Sequence, residues 1–117
     1  MALDSLETAK KAAQAAEEKS AEDILILEME GISILADYFV ICSGTSTTQV
    51  NAIVKSITSE LEEEVDLIRK EGTDSARWAV LDYGDVIVHI FHDEQREYYQ
   101  LENLWGDAER IDWKKSI

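Results

Sequence analysis

The clearest periodicity in the chain follows Gly44. Val50, Ile53, Val54, Ile57 and Leu61 recur at intervals of three and four residues and draw one apolar stripe, which predicts an amphipathic helix. The segments before it have a different period. In ILILEME (Ile24–Glu30), Leu25, Leu27 and Met29 fall on one side and Ile24, Ile26, Glu28 and Glu30 on the other, the alternation of a strand. DYFVICS (Asp37–Ser43) is apolar on both faces, as a central strand must be. Val65–Lys70, Arg77–Tyr83 and Val86–Phe91 read as three further strands. The tight-turn signal Tyr83-Gly84-Asp85 joins the last two into an antiparallel hairpin.

Helical segments are expected at both ends. Leu3–Lys19 is alanine-rich and helix-prone, but its apolar face is only Leu3, Leu6 and alanines, which predicts a helix at the periphery. Asp93–Trp105 reads as a closing helix with Asp93 as its N-cap. Tyr98, Leu101, Leu104, Trp105 and Ala108 form its core stripe, leaving Tyr99 on the opposite side beside Arg96. The expected architecture is α/β. One domain spans residues 1–117, with a mixed sheet of about five strands and flanking helices, a core over 20–108 and a short C-terminal tail.

Composition narrows this picture. There is no proline, and the five glycines separate periodic segments instead of forming a linker. With 45% hydrophobic residues the chain can build a core. No apolar run approaches the ~20 residues needed to cross a membrane. Asp4, Glu7 and the lack of arginine near the N-terminus argue against secretory and organellar targeting, and the single Cys42 fits a reducing compartment, so a cytoplasmic protein is expected. Eleven basic against twenty-five acidic residues give a net charge of −14. Binding to nucleic acid needs Lys and Arg to displace counterions, so little direct nucleic-acid contact is expected. Such a charge suits a basic partner found by electrostatic steering, or simply keeps the protein soluble.

The stretch FVICSGTSTTQV (Phe39–Val50) raises the question of catalysis. Strand, glycine turn and helix start is a layout that can cradle phosphate on backbone N–H groups. It is equally a helix cap: Ser46 and Gln49 have capping-box spacing, the Ser46 hydroxyl taking the Gln49 N–H and the Gln49 side chain reaching back to the Ser46 N–H. A triphosphate site also needs carboxylates for Mg²⁺. Asp82 and Asp85 straddle a turn and should diverge, and Glu28 and Glu30 precede the loop and read as a solvated edge. Between Ser20 and Val54 there is no Lys or Arg, whereas Glu22, Asp23, Glu28, Glu30 and Asp37 all fall there. The loop therefore reads as a cap. His89 and His92 are three apart on a strand and point to opposite faces, so no metal site is expected from them, and His89 reads as a hydrogen-bonded, partly buried side chain. Cys42 reads as core. No catalytic constellation and no cofactor site emerges.

Surface aromatics are the remaining signal. In RWAVLDY, Ala79, Leu81 and Tyr83 share one face and Trp78, Val80 and Asp82 the other. Trp, Tyr and Arg are the residue types that most often anchor interfaces. The competing reading has Trp78 tucked under a helix and Tyr99 as an ordinary surface residue.

Three motifs, ADYFVICSGTSTTQV, ARWAVLDYGDVIVHIF and REYYQLENLW, together resemble the ribosomal silencing factor (Iojap) family over roughly Ser20 to Ala108. The resemblance implies a fold similar to nucleotidyltransferases without transferase activity. It implies binding to the large ribosomal subunit through the basic ribosomal protein uL-fourteen, which keeps the small subunit from joining and represses translation. A role in large-subunit maturation is also implied. Trp78, Asp82, Arg96 and Tyr99 match the family pattern. With Asp74 in the preceding loop they form the expected partner-binding patch. Two alternatives stay open: a nucleotide-binding enzyme using Ser46, Glu28 and Glu30, and a self-associating module, homodimeric when free.

Overall fold

Alanine decides how the first helix sits. The structure, a computed structural model, describes residues 4–29, 34, 36–93 and 109–111. Helix α1 (Ser5–Glu18) starts at Asp4, whose carboxylate accepts the Glu7 N–H at 2.8 Å. Its inner face is Ala9, Ala12, Ala13, Ala15 and Ala16, each at most 1% exposed. The helix expected at the periphery thus belongs to the main core. Side chains of one carbon let its backbone approach the sheet closely, and the Ser56 hydroxyl reaches across to the Ala15 carbonyl at 2.9 Å.

Among the described residues six strands form one mixed sheet in the order β3-β4-β5-β2-β1-β6. They are β1 (Glu22–Glu28), β2 (Tyr38–Gly44), β3 (Arg69–Glu71), β4 (Trp78–Asp82), β5 (Val86–His92) and β6 (Glu109–Ile111). Only β2 and β5 run parallel. The doubly apolar segment is central as expected, with β2 between β5 and β1 and Phe39 to Gly44 all buried. All five expected strands are present, and the three-residue β6 adds a sixth alongside β1, which is therefore not an edge.

Two strand starts differ from the sequence reading by two residues or more. β1 begins two residues earlier, with a register irregularity between Glu22 and Leu25 where Asp23 takes a positive φ of 50°. β3 begins four residues later than Val65, because the amides of Glu64 and Val65 still bond back to the Leu61 carbonyl at 3.0 Å each. The expected helix from Asp93 to Trp105, with its Tyr98–Ala108 stripe, lies outside the described residues beyond Asp93 itself.

Helix α2 (Thr47–Leu61) buries the stripe seen in the sequence: Val50, Ile53, Val54, Ile57 and Leu61. Together α1 and α2 cover one sheet face, made of Ile26 on β1, Val40 and Cys42 on β2, Ala79 and Leu81 on β4, and Val86, Val88 and Ile90 on β5. Alternation sends Leu27, Met29, Phe39, Ile41 and Phe91 to the opposite face, where they form a second buried cluster with Ala36.

Candidate partner-binding surface

The glycine loop is a cap that also ties two helices together. The Ser46 hydroxyl accepts the Gln49 N–H at 3.1 Å, as its spacing predicts. The return arm differs. The Gln49 side-chain oxygen accepts from the Thr45 N–H at 2.6 Å instead of from Ser46, and its amide nitrogen donates to the Lys19 and Ser20 carbonyls at 3.0 Å each. The end of α1 is thereby fastened to the start of α2. A Cβ on Gly44 would lie 3.2 Å from both the Val50 Cγ2 and the Val50 nitrogen, so the turn is already packed against the helix. The candidate acid of the enzymatic reading is remote. Glu28 pairs with Tyr38 at the far end of β2, and the six steps from there to Gly44 span about 20 Å. Glu30 lies outside the described residues.

The two histidines separate as expected. His92 Nδ1 lies 3.1 Å from the Asp93 carboxylate. His89 points to the other face, 7% exposed. Among the described residues no cluster of three or more His, Cys, Asp or Glu is placed to hold a metal.

The patch is built from the β4–β5 hairpin. The Tyr83-Gly84-Asp85 turn is closed by the Tyr83 N–H on the Val86 carbonyl at 2.9 Å. The Asp82 carboxylate also takes the Gly84 N–H at 2.8 Å, and Gly84 has φ +90°, a conformation natural to glycine. This turn places Trp78 opposite Phe91 and Val80 opposite His89. Trp78 is half-buried and held from two sides. Its ring stacks on Phe91 at 5.0 Å, and its Nε1–H donates to His89 Nδ1 at 3.1 Å. The His89 ring in turn packs against Phe39 at 4.8 Å. Because Nδ1 accepts, the neutral imidazole carries its proton on Nε2, which is buried and has no partner among the described residues. Burial lowers the His89 pKa to about 4, so the ring is neutral at physiological pH.

Asp82 shares the Trp78 face, as the alternation predicts. Besides its turn bond, its second oxygen lies 3.7 Å from Arg69 on β3, with the Asp82 side chain 21% exposed. Asp74 is exposed in the loop that enters β4. That loop is pinned by Gly72 at φ +77°, where a Cβ would lie 2.0 Å from the Trp78 carbonyl oxygen. Trp78, Asp82 and Asp74 are thus carried by one short, braced segment. Arg96 and Tyr99, the other two expected members, lie outside the described residues. Sequence reasoning missed the Trp78–His89 bond. Counting outward from the Tyr83-Gly84-Asp85 turn puts Trp78 opposite Phe91 and makes His89 its diagonal neighbour on the same face, but does not give the bond.

The profile of the family described as "Ribosomal silencing factor during starvation" matches residues 2–117. The chain is 54% identical over 104 residues to the ribosomal silencing factor RsfS of Bacillus subtilis, covering 88% of each. It is 35% identical over 92 residues to a mouse protein named for mitochondrial assembly of the ribosomal large subunit, covering 75% of this chain and 40% of that one. A crystal structure of a Chromobacterium violaceum protein superposes with a TM-score of 0.86 at 34% identity, covering 89% of this chain and 88% of the other. By profile, sequence and fold alike, the chain belongs to the ribosomal silencing factor family.

Proposed function

We propose that this domain represses translation as an obstacle. It docks on the large ribosomal subunit through the basic ribosomal protein uL-fourteen, in the cytoplasm, and stands where the small subunit would join. The observation that carries this reading is the braced Trp78: a large aromatic, half out of solvent, with its ring stacked and its only polar group already satisfied inside the protein. A side chain so held loses little rotamer freedom on binding, which is what an interface anchor needs. Asp82 on the same strand and Asp74 in the loop before it add negative charge to the same hairpin, and Arg96 and Tyr99 join the patch by their place in the family motifs. A net charge of −14 speeds encounter with a basic protein and repels the RNA phosphates around it. Membership in the silencing family and the name of the mouse relative both support a large-subunit partner. The reading assigns no catalytic step to any residue.

Co-sedimentation with purified large subunits, followed by a subunit-joining assay, tests it. Trp78→Ala should weaken binding by about thirtyfold, roughly 2 kcal/mol, and release the block on joining. Asp82→Asn keeps an oxygen for the Gly84 N–H while removing the charge, and should slow association chiefly at low salt. Full affinity and full blocking by a folded Trp78→Ala chain would refute the patch.

A further inference from the structure

The helix side of the same hairpin carries a second feature, distinct from the Trp78 face. A cleft of about 300 Å³ opens between the last turn of α2, the segment after it and the end of β4, lined by Thr58, Glu62, Val65, Asp66, Leu67 and Tyr83 among others. Tyr83 belongs to the core under the helices, whereas Trp78 packs with the opposite cluster, so the two surfaces lie on opposite sides of β4.

Three observations show what the cleft lacks. The first is Tyr83, only 7% exposed, whose hydroxyl is out of solvent and has no hydrogen-bond partner among the described residues. Burial pushes its pKa up to about 12, so the hydroxyl stays neutral and keeps both its proton and its lone pairs. The second is the charge at the end of α2. The last four carbonyls of a helix form its negative end, where Lys, Arg or His is favourable. The last turn of α2 has no basic residue, and Glu60, Glu62 and Glu63 crowd there instead. Lys11 is taken up by Glu64 at 2.8 Å, and Glu62 and Asp66 have no ion-pair partner among the described residues. The third is apolar surface at the rim, where Leu67 is 36% and Ile68 65% exposed.

Acceptors are therefore in excess. They comprise two carboxylates, the Tyr83 oxygen and the Thr58 oxygen, whose proton already goes to the Val54 carbonyl at 3.0 Å. A group with several donors and a positive charge is missing. We propose that this cleft receives an arginine side chain of a partner polypeptide, its guanidinium paired to Glu62 and Asp66 and hydrogen-bonded to Tyr83, with neighbouring apolar residues of that partner covering Leu67 and Ile68. Guanidinium fits better than ammonium because its five donors fan out in a plane toward separated acceptors and it sheds water more readily. The site does not depend on the Trp78 patch, and the domain would hold its hairpin between two contacts.

The test is an NMR titration of the full chain with the tripeptide acetyl-Leu-Arg-Leu-amide and its neutral citrulline counterpart. The arginine peptide should shift the amides of Thr58 to Leu67 and Tyr83 saturably. The citrulline peptide, and the arginine peptide against the Glu62→Gln/Asp66→Asn variant, should each bind at least about tenfold more weakly. Tyr83→Phe removes one buried oxygen and nothing else, so it should fold with equal or higher Tm yet bind about threefold to tenfold more weakly. Trp78→Ala should leave this affinity unchanged. Equal binding of the citrulline peptide, shifts spread without saturation over the acidic surface, or unaltered affinity in the Tyr83 and acidic variants would each overturn the proposal.

Discussion

The two faces of the sheet are built from different chemistry. Under the helices the contacts are mostly carbon on carbon, from alanine, valine, isoleucine and leucine, with the Ser56–Ala15 hydrogen bond and the Tyr83 hydroxyl among the polar exceptions. On the other face the rings of Phe39, Trp78, His89 and Phe91 are tilted or stacked against one another, and a directed hydrogen bond sets the angle of the tryptophan. Apolar burial is non-directional and stabilises in proportion to area. An aromatic cluster with polar handles stabilises too, but it also fixes where a ring points and makes that fixing depend on a proton. The first face holds the fold, and the second holds a surface in a chosen shape.

The largest expected effect lies on the first face. Ile57 is fully buried in the stripe of α2, and Ile57→Ala should cost about 4 kcal/mol through lost transfer energy and the cavity left behind. Urea denaturation should report that loss with little change between pH 5 and 7, because Ile57 is an uncharged side chain packed among apolar ones. A loss below about 1 kcal/mol would mean that the alanine face of α1 collapses into the space, and that the helix layer is less rigid than its packing implies.

That alanine face is also where the sequence was hardest to read. A stripe of alanines carries little hydrophobic signal, yet in contact with a sheet it permits the closest approach, so a helix with only a weakly hydrophobic face became core. The stripe of α2, the doubly apolar β2 and the Ser46 cap were legible because each is a local pattern: a period of 3.6, a run without polar faces, a three-residue spacing. β3 was mis-bounded because the turn after α2 holds Glu64 and Val65 by backbone bonds that no side-chain pattern records. The Gln49 amide reaches the end of α1, some thirty residues earlier, and such a contact has no trace in local spacing. The alternation of Trp78, Val80 and Asp82 along β4 was legible too. What holds Trp78 in place was not, because it depends on pairing across the hairpin.

On the second face the comparison becomes a function of pH. Folded His89 titrates at about 4 against its usual 6.5, because the buried imidazole resists charge. The unfolded chain accepts a proton below pH 6.5, and the folded chain refuses it until about pH 4. His89 therefore contributes its full stability above pH 6.5, and that contribution is lost as the pH falls toward 4, by about 3 kcal/mol in all. Carboxylates titrate at the lower end of this window, so the useful quantity is the difference between the native chain and His89→Gln, in which the carboxylate contributions cancel. The two stability–pH curves should converge as the pH drops from 6.5 to 4. Parallel curves would show that His89 is not shielded and that the second face is as wet as an ordinary surface.

Trp78→Phe is the smallest change and the most discriminating. It keeps a ring to stack on Phe91 but removes the pyrrole part of the indole together with the Nε1–H that His89 accepts, leaving a buried nitrogen without its donor at a cost of about 1–2 kcal/mol for that bond. With that donor gone the Nδ1 lone pair is free for a proton, so His89 should titrate higher and the acid loss of stability should shrink. Large-subunit binding should fall by about fivefold, less than for Trp78→Ala, because the ring remains while its orientation loosens. The two readouts are linked through one hydrogen bond and should move together. If acid stability and binding both stay as in the native chain, the indole nitrogen orients nothing, and the two faces differ in the shape of their side chains alone.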